Sequence, residues 1–335
     1  MNKVKILDCT LRDGGYVNNW KWGKDASIAI SSLIDSIGVE YIELGMLRKC
    51  SYQEGTLVFD TVNQAADMFS TCKTPKAVMV ELGGNYPLDE IPNRNESGID
   101  MIRVMIWKRM LKEGLEYCRA LINKGYDVGI QPTRTDEYTV EEFAELVRLY
   151  NTITPKALYV VDSFGVMQKD QILSYMKIAD EILDEGITIG YHAHNNMQQA
   201  FTNAVAVAER TWRHNIMLDA TVWGMGRGAG NLSLELITKY LNENELGSYN
   251  MLPIYEVAEK YLKDYYNSAP WGYRVPFMLS AMYGRNPTLA GYMEKIDIPI
   301  PLMEKTFRRM KELGVGIKYE ESVCDEIIND LLKEV

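Results

Sequence analysis

The chain has 335 residues, 47% of them apolar, and a formal net charge of −10, enough length to bury a large core as one α/β domain or as a barrel with an appendage. An acidic balance with no basic run disfavours DNA or RNA as a partner. No window of about 18 apolar residues offers a membrane span and no signal-like stretch opens the sequence, so the expected location is the cytoplasm.

In chain order, short apolar runs recur, each bounded by polar turns: 3–10, 39–46, 76–82, 100–107, 126–133, 157–164, 187–194 and 216–224. Between them lie amphipathic helical patterns such as DASIAISSLIDSIG, LKEGLEYCRALINKG, TVEEFAELVRLYNTI and QILSYMKIADEILDEG, several closing on a glycine suited to a helix C-terminus. Eight such β-α repeats predict an α/β fold, a (β/α)8 TIM barrel over 1–244. Residues 245–335 show helical periodicity, no strand rhythm and a Trp/Tyr/Pro-rich middle, and are expected to form a helical lid or interface. The cysteines Cys9, Cys50, Cys72, Cys118 and Cys324 follow no C-x-x-C spacing, which fits reduced thiols.

In such a barrel every strand ends on one face, where catalytic groups collect. That singles out Arg12 and Asp13 after the first strand, Glu43 on the second, Gln131 and Thr133 on the fifth, Asp162 and Ser163 on the sixth, His192 and His194 on the seventh, and the loop GMGRGAGN after the eighth. Two of only three histidines stand at i and i+2, on one face of a strand and roughly 7 Å apart. Asp13 is two strands away around a closed barrel, so two imidazoles and a carboxylate can converge on one divalent cation with positions left open. The set suits Mn²⁺, Mg²⁺, Co²⁺ or Fe²⁺ and disfavours structural zinc. A non-haem iron oxygenase uses the same ligand types, but nothing else in the pattern supports one. With Arg12 beside the cation, the natural chemistry is stabilising the enolate of a 2-oxo acid.

LDCTLRDGG (7–15), YHAHNN (191–196) and GMGRGAGNLSLE (224–235), in this order and at these strands, resemble the DRE-TIM metallolyases, which include HMG-CoA lyase, isopropylmalate synthase and the 4-hydroxy-2-oxovalerate aldolases. The aldolases are the most similar, through DSFG (162–165) and the AHNN segment running into a helix, and the likeness covers about 1–245. The resemblance implies a Mn²⁺ or Mg²⁺ site of Asp13, His192 and His194, with Arg12 stabilising a pyruvate enolate in a lyase that cleaves or forms a 4-hydroxy-2-oxo acid. In the lyase branch an Asn also reaches the metal; here it is Asn231, whose other reading is a helix N-cap.

Where the aldolases carry a histidine after the first Asp-Gly, this chain has Tyr16. It is expected either to transfer a proton, with a pKa lowered by metal and Arg12, or to pack over the substrate. Glu43, Gln131, Asp162, Ser163 and Arg227 are the expected substrate neighbours, Glu43 and Asp162 also bonding to the ligands or Arg12, and Arg227 meeting a distal anionic group. The GMGRGAGN loop is either an anion cradle or a tight turn, and His214 is expected at the surface. A Claisen-type acyl-CoA lyase or synthase, and a non-catalytic binding subunit, are the alternative readings. A homodimer is the expected assembly, and the resemblance implies an aldehyde dehydrogenase as a further partner.

Overall fold

The strands β1 (Val4–Asp8), β2 (Tyr41–Leu47), β3 (Val58–Phe59), β4 (Lys76–Glu81), β5 (Met101–Ile106), β6 (Asp127–Pro132), β7 (Ala157–Asp162), β8 (Thr188–Ala193) and β9 (Ile216–Ala220) form one parallel sheet in the computed structural model, which describes residues 4–84 and 86–333. Asp8 of β1 pairs with Ala220 of β9 on one side and Ile42 of β2 on the other, and this double pairing closes a barrel from all the strands except β3. Each predicted run supplies one barrel strand; Lys3, which opens the first, lies outside the described residues. The short β3, paired with the end of β2, escapes a sequence reading because two residues carry no period.

Alternation along the strands separates two apolar layers. Leu7, Cys9, Tyr41, Ala77, Met101, Ala157, Tyr159, Val161 and Met217 fill the barrel interior, while Ile6, Ile42, Val78, Ile102, Leu158, Val160 and Leu218 meet the surrounding helices. The interior is crowded enough that glycine is required at 190, where a Cβ would lie 2.2 Å from the Tyr159 ring. The helices begin as the sequence dictates: Thr139 and Glu142 form a reciprocal capping box ahead of Val140–Asn151. No helix of the described residues is long and apolar enough to cross a membrane.

The predicted helical tail is present, but it serves two cores. Leu246, Ile254, Val257, Leu262 and Trp271 join the barrel's own apolar layer. Phe277, Leu289, Met303, Phe307, Met310, Ile327 and Ile328 build a second cluster, joined by Ala229 of the last barrel loop. The barrel's apolar layer therefore takes in residues as far as Trp271, and the tail residues of the second cluster begin at Phe277.

Candidate active site

β1 runs straight into a helical turn, Thr10–Asp13. Its carbonyls are tied down by two indoles: Trp20 Nε1 donates to the Arg12 carbonyl at 2.7 Å and Trp22 Nε1 to that of Leu11 at 3.0 Å. Arg12 and Asp13 are thereby fixed, both buried at the top of the barrel. Arg12 Nε donates to Glu43 Oε2 at 2.7 Å, and Arg103 Nη1 donates to the same oxygen at 2.8 Å. Glu43 makes the expected bond to Arg12 but, wholly buried beneath it, does not line the cavity described below, where a substrate neighbour was expected.

His192 on β8 and His194 just beyond its end bring their rings 5.2 Å apart and nearly perpendicular. His192 Nδ1 lies 2.9 Å from Asp219 Oδ2 and its Nε2 3.1 Å from Asp13 Oδ2. Asp219 is itself paired with Arg103. Arg103 and Asp219 were missed in the sequence, although each is a lone charge inside an apolar strand, and such a charge requires a partner. In the amide orientation that satisfies both groups, Gln131 accepts from Arg103 Nη2 at 2.5 Å.

The electrostatics prepare ligands. Burial opposes ionisation of Asp13, but Arg12, His192 and His194 outweigh it and hold the carboxyl well below the usual range. Burial would lower His192, yet the adjacent carboxylates of Asp13 and Asp219 bring it above its ordinary value. Burial, with Arg12 and Arg227 nearby, pushes His194 down to about 3, so its imidazole is neutral.

Unsatisfied atoms point to a cation. Neither oxygen of Asp13 accepts an aligned hydrogen bond, although Arg12 Nη1 stands 3.0 Å from Oδ2; His194 Nδ1 and Asn231 Oδ1 are also buried without a partner. Asn231 sits opposite His194 in an isolated β-bridge, its Nδ2 donating to Met225 O at 3.0 Å, and the helix cap it was weighed for falls to Ser233. Such orphaned acceptors are costly in a dry interior, so the donor set fits a divalent metal. Ligand atoms of Cys9, Asp13 and His192 lie within 4.8 Å of one another. Cys9 is the weakest of these donors, because burial and Asp219 keep its thiol protonated and its Sγ faces Ala220 O at 3.4 Å.

Above this floor opens a cavity of about 480 Å³. Arg12, Tyr16, Gln131, Thr133, Ser163, His192, His194 and Arg227 line it, and Asn286, Ile317, Lys318 and Tyr319 of the tail reach its mouth. Tyr16 stands at the rim, with the Arg227 guanidinium 5.5 Å from its ring. Among the protein groups, burial raises its phenol pKa and Arg227 and Arg12 lower it, the balance lying above the ordinary value.

Two further expectations are corrected. Asp162 does not line the cavity: Val161 and Ser163 take the inward positions, and the Asp162 carboxylate accepts from Val166 N at 2.8 Å and Met167 N at 3.0 Å to shape the turn after β7. His214 is buried, its Nδ1 3.1 Å from Asp180. In the GMGRGAGN loop the Ala229, Gly230 and Asn231 N–H groups donate to Asn196 Oδ1, Arg227 O and Gly224 O, the bonds of a tight turn.

Residues 101–259 match the family model HMGL-like. A 4-hydroxy-2-oxovalerate aldolase of Geobacillus thermodenitrificans is 23% identical over 280 residues, covering 78% of this chain and 79% of its own. One from Thermus thermophilus is 27% identical over 243 residues, covering 71% and 68%. The crystal structure of HMG-CoA lyase from Bacillus subtilis shares the fold, with a TM-score of 0.63 at 15% identity over 79% of this chain and 94% of its own.

Proposed function

We propose that this chain is a DRE-TIM metallolyase of the HMGL-like kind, a divalent-metal-dependent carbon-carbon lyase of the aldolase type, cleaving or forming a 4-hydroxy-2-oxo acid. The observation that carries the reading is the buried cluster of Asp13 and His192, whose ligand atoms lie within 4.8 Å of one another, beside unpartnered polar atoms of Asp13, His194 and Asn231, with Arg12, His192 and His194 lining one cavity. Asp13, His192, His194 and Asn231 are the residues that would hold Mn²⁺ or Mg²⁺. When bound, the cation supplies a Lewis acid for the keto group of the 2-oxo acid.

The chain's own groups do the rest. Arg12, braced by Glu43, offsets the negative charge that gathers on the keto oxygen as the bond between C3 and C4 breaks and its electron pair becomes the enolate. In the bond-forming direction the enolate carbon attacks the aldehyde carbon, and the Tyr16 phenol gives its proton to the aldehyde oxygen; cleavage reverses both transfers. Gln131 and Ser163 orient the substrate from the cavity wall.

The test is proton NMR of pyruvate in D₂O with enzyme and Mg²⁺, for wild type and His192→Ala. Metal-dependent loss of the methyl signal that the variant lacks is the expected result. Absence of exchange in wild type, with metal shown to be bound, would exclude a pyruvate enolate at this site.

A further inference from the structure

We propose that the carbonyl compound joined to the 2-oxo acid carries an anionic group, a carboxylate or a phosphate ester, recognised by Arg134 and Arg227. The inference rests on the aldolase reading for the reaction, but the anion site stands on its own geometry.

The cavity wall is cationic in a chain that is not. Arg12, Arg48, Arg109, Arg134, Arg227 and Lys318 line it, against Glu81 as the single carboxylate among the described residues, while the whole chain carries a net charge of −10. Glu81 is engaged by Trp107 Nε1 at 3.2 Å. Arg12 belongs to the floor, where Glu43 and Asp13 face it.

Arg134 and Arg227 converge on one ring: their guanidinium carbons lie 4.1 and 5.9 Å from the centroid of Phe164. Arg134 is 6% exposed; Nε and Nη2 bond to Asp136 and Nη2 also stands 3.1 Å from Glu137 Oε1, yet its Nη1 is buried without an acceptor. Its backbone is left-handed at φ 55°, an unfavourable conformation for a residue with a Cβ, and its N–H is held by Ser163 Oγ at 2.9 Å. Strain kept at a cavity wall, around a guanidinium with a spare donor, marks a binding position. Arg227 meets no carboxylate among the described residues; Nη2 donates to Ser163 O at 3.3 Å and its Nε is free of any acceptor.

Position assigns these donors to the aldehyde half. Arg227 lies against the Tyr16 ring, the group placed to protonate the aldehyde oxygen, so an anion held there extends away from the new bond. Size agrees: about 480 Å³ falls within the range of pockets that enclose drug-sized ligands, and pyruvate with a two-carbon aldehyde would leave much of it to water.

The experiment pairs neutral and charged aldehydes in condensation with pyruvate: butanal with 4-oxobutanoate, and glyceraldehyde with glyceraldehyde 3-phosphate. The charged member of one pair is expected to have the higher kcat/KM by roughly tenfold to a hundredfold, and which pair shows it separates carboxylate from phosphate. That ratio is expected to collapse in Arg227→Gln and in Arg134→Gln. In parallel, calorimetric titration compares butanoate with butanedioate and glycerate with 3-phosphoglycerate on the metal-loaded protein. Equal rates and equal binding within both series would overturn the anion site. If pyruvate exchange fails, the aldolase reading falls, and the titration alone decides whether the two arginines bind an anion.

Discussion

His192 stands between two carboxylates, Nδ1 2.9 Å from Asp219 Oδ2 and Nε2 3.1 Å from Asp13 Oδ2. The two contacts are unequal in kind. Asp219 is itself anchored by Arg103 deep in the barrel, so it fixes the ring and places a proton on Nδ1, whereas Asp13 has no aligned hydrogen bond and shares the open side with Nε2. A carboxylate behind an imidazole ligand sets its tautomer and raises its basicity. Asp219→Asn is therefore expected to weaken Mn²⁺ binding by about 10- to 100-fold, read by titration calorimetry. An unchanged Kd would show that Asp219 serves only the Arg103 pair.

Arg103 is a charge inside a barrel, wholly buried, bridging Glu43 and Asp219 and lying 4.7 Å from the Tyr159 ring centroid. Removing it leaves buried Asp219 with His192 alone and buried Glu43 with Arg12 alone. Arg103→Met is expected to lower stability by about 3–5 kcal/mol, seen as a fall in the denaturant midpoint. The same change made with Glu43→Gln is expected to recover part of the loss; equal losses in single and double variants would mean that the charges are not coupled.

How much of this was readable follows from what each residue must do locally. The barrel strands announced themselves because both faces of a parallel strand are covered, giving near-continuous apolar runs. His192 and His194 were legible as an i, i+2 pair, and Asp13 as their neighbour once closure was assumed. Asp162 was misplaced because alternation was not carried to the strand end: with Val161 and Ser163 inward, Asp162 faces the helices. Arg103 and Asp219 lie on strands separated by 116 residues, and nothing local says that two lone charges meet. Arg134 has an ordinary loop sequence, and its left-handed backbone and its place over Phe164 are products of packing. The same holds for Ile317–Tyr319, brought to the cavity by a second core.

Tyr16 keeps its proton, because burial raises the phenol more than Arg227 and Arg12 lower it. It is suited to give a proton to a developing alkoxide, and it has no part in holding the ligands of the cation. Tyr16→Phe is expected to slow aldol condensation by about 10²- to 10⁴-fold, the usual contribution of a placed acid, and to slow exchange of the pyruvate methyl protons far less. Equal losses in both assays would make Tyr16 a packing group over the whole site.

Gly165 follows the Asp162 turn at φ 63°, and a Cβ there would lie 2.7 Å from both Asn196 N and His194 O. Both atoms are backbone and cannot swing away, so a side chain has to move the segment that carries His194. Gly165→Ala is expected to cost about 1–3 kcal/mol of stability and also to weaken Mn²⁺ binding. Lower stability with intact Mn²⁺ affinity would show that the strain is absorbed on the Phe164 side of the contact.

Asp8 gives the pH dependence of stability a direction. Burial, against two hydrogen bonds from Thr10, raises its carboxyl to about 7 from 3.8. Between those two values the folded protein keeps a proton that the unfolded chain has released, so the stabilisation is complete below about 4 and is lost as pH rises through 7. Asp162, raised to about 7 by burial, acts in the same sense. Asp13 and Asp219 act oppositely, but their pKa values lie below the ordinary one, so their contribution is already complete above pH 4 and fades only in acid. From pH 5 to pH 8 Asp8 is thus expected to remove roughly 2.6 kcal/mol of stability, about two pKa units at 1.36 kcal/mol each, a loss that His194 offsets in part below pH 6.5. Asp8→Asn removes that proton from the balance, and its denaturant midpoint is expected to decline less steeply over the same range. Parallel profiles for the two proteins would place the titration elsewhere and leave Asp8 ionised in the folded state, held by Thr10 alone.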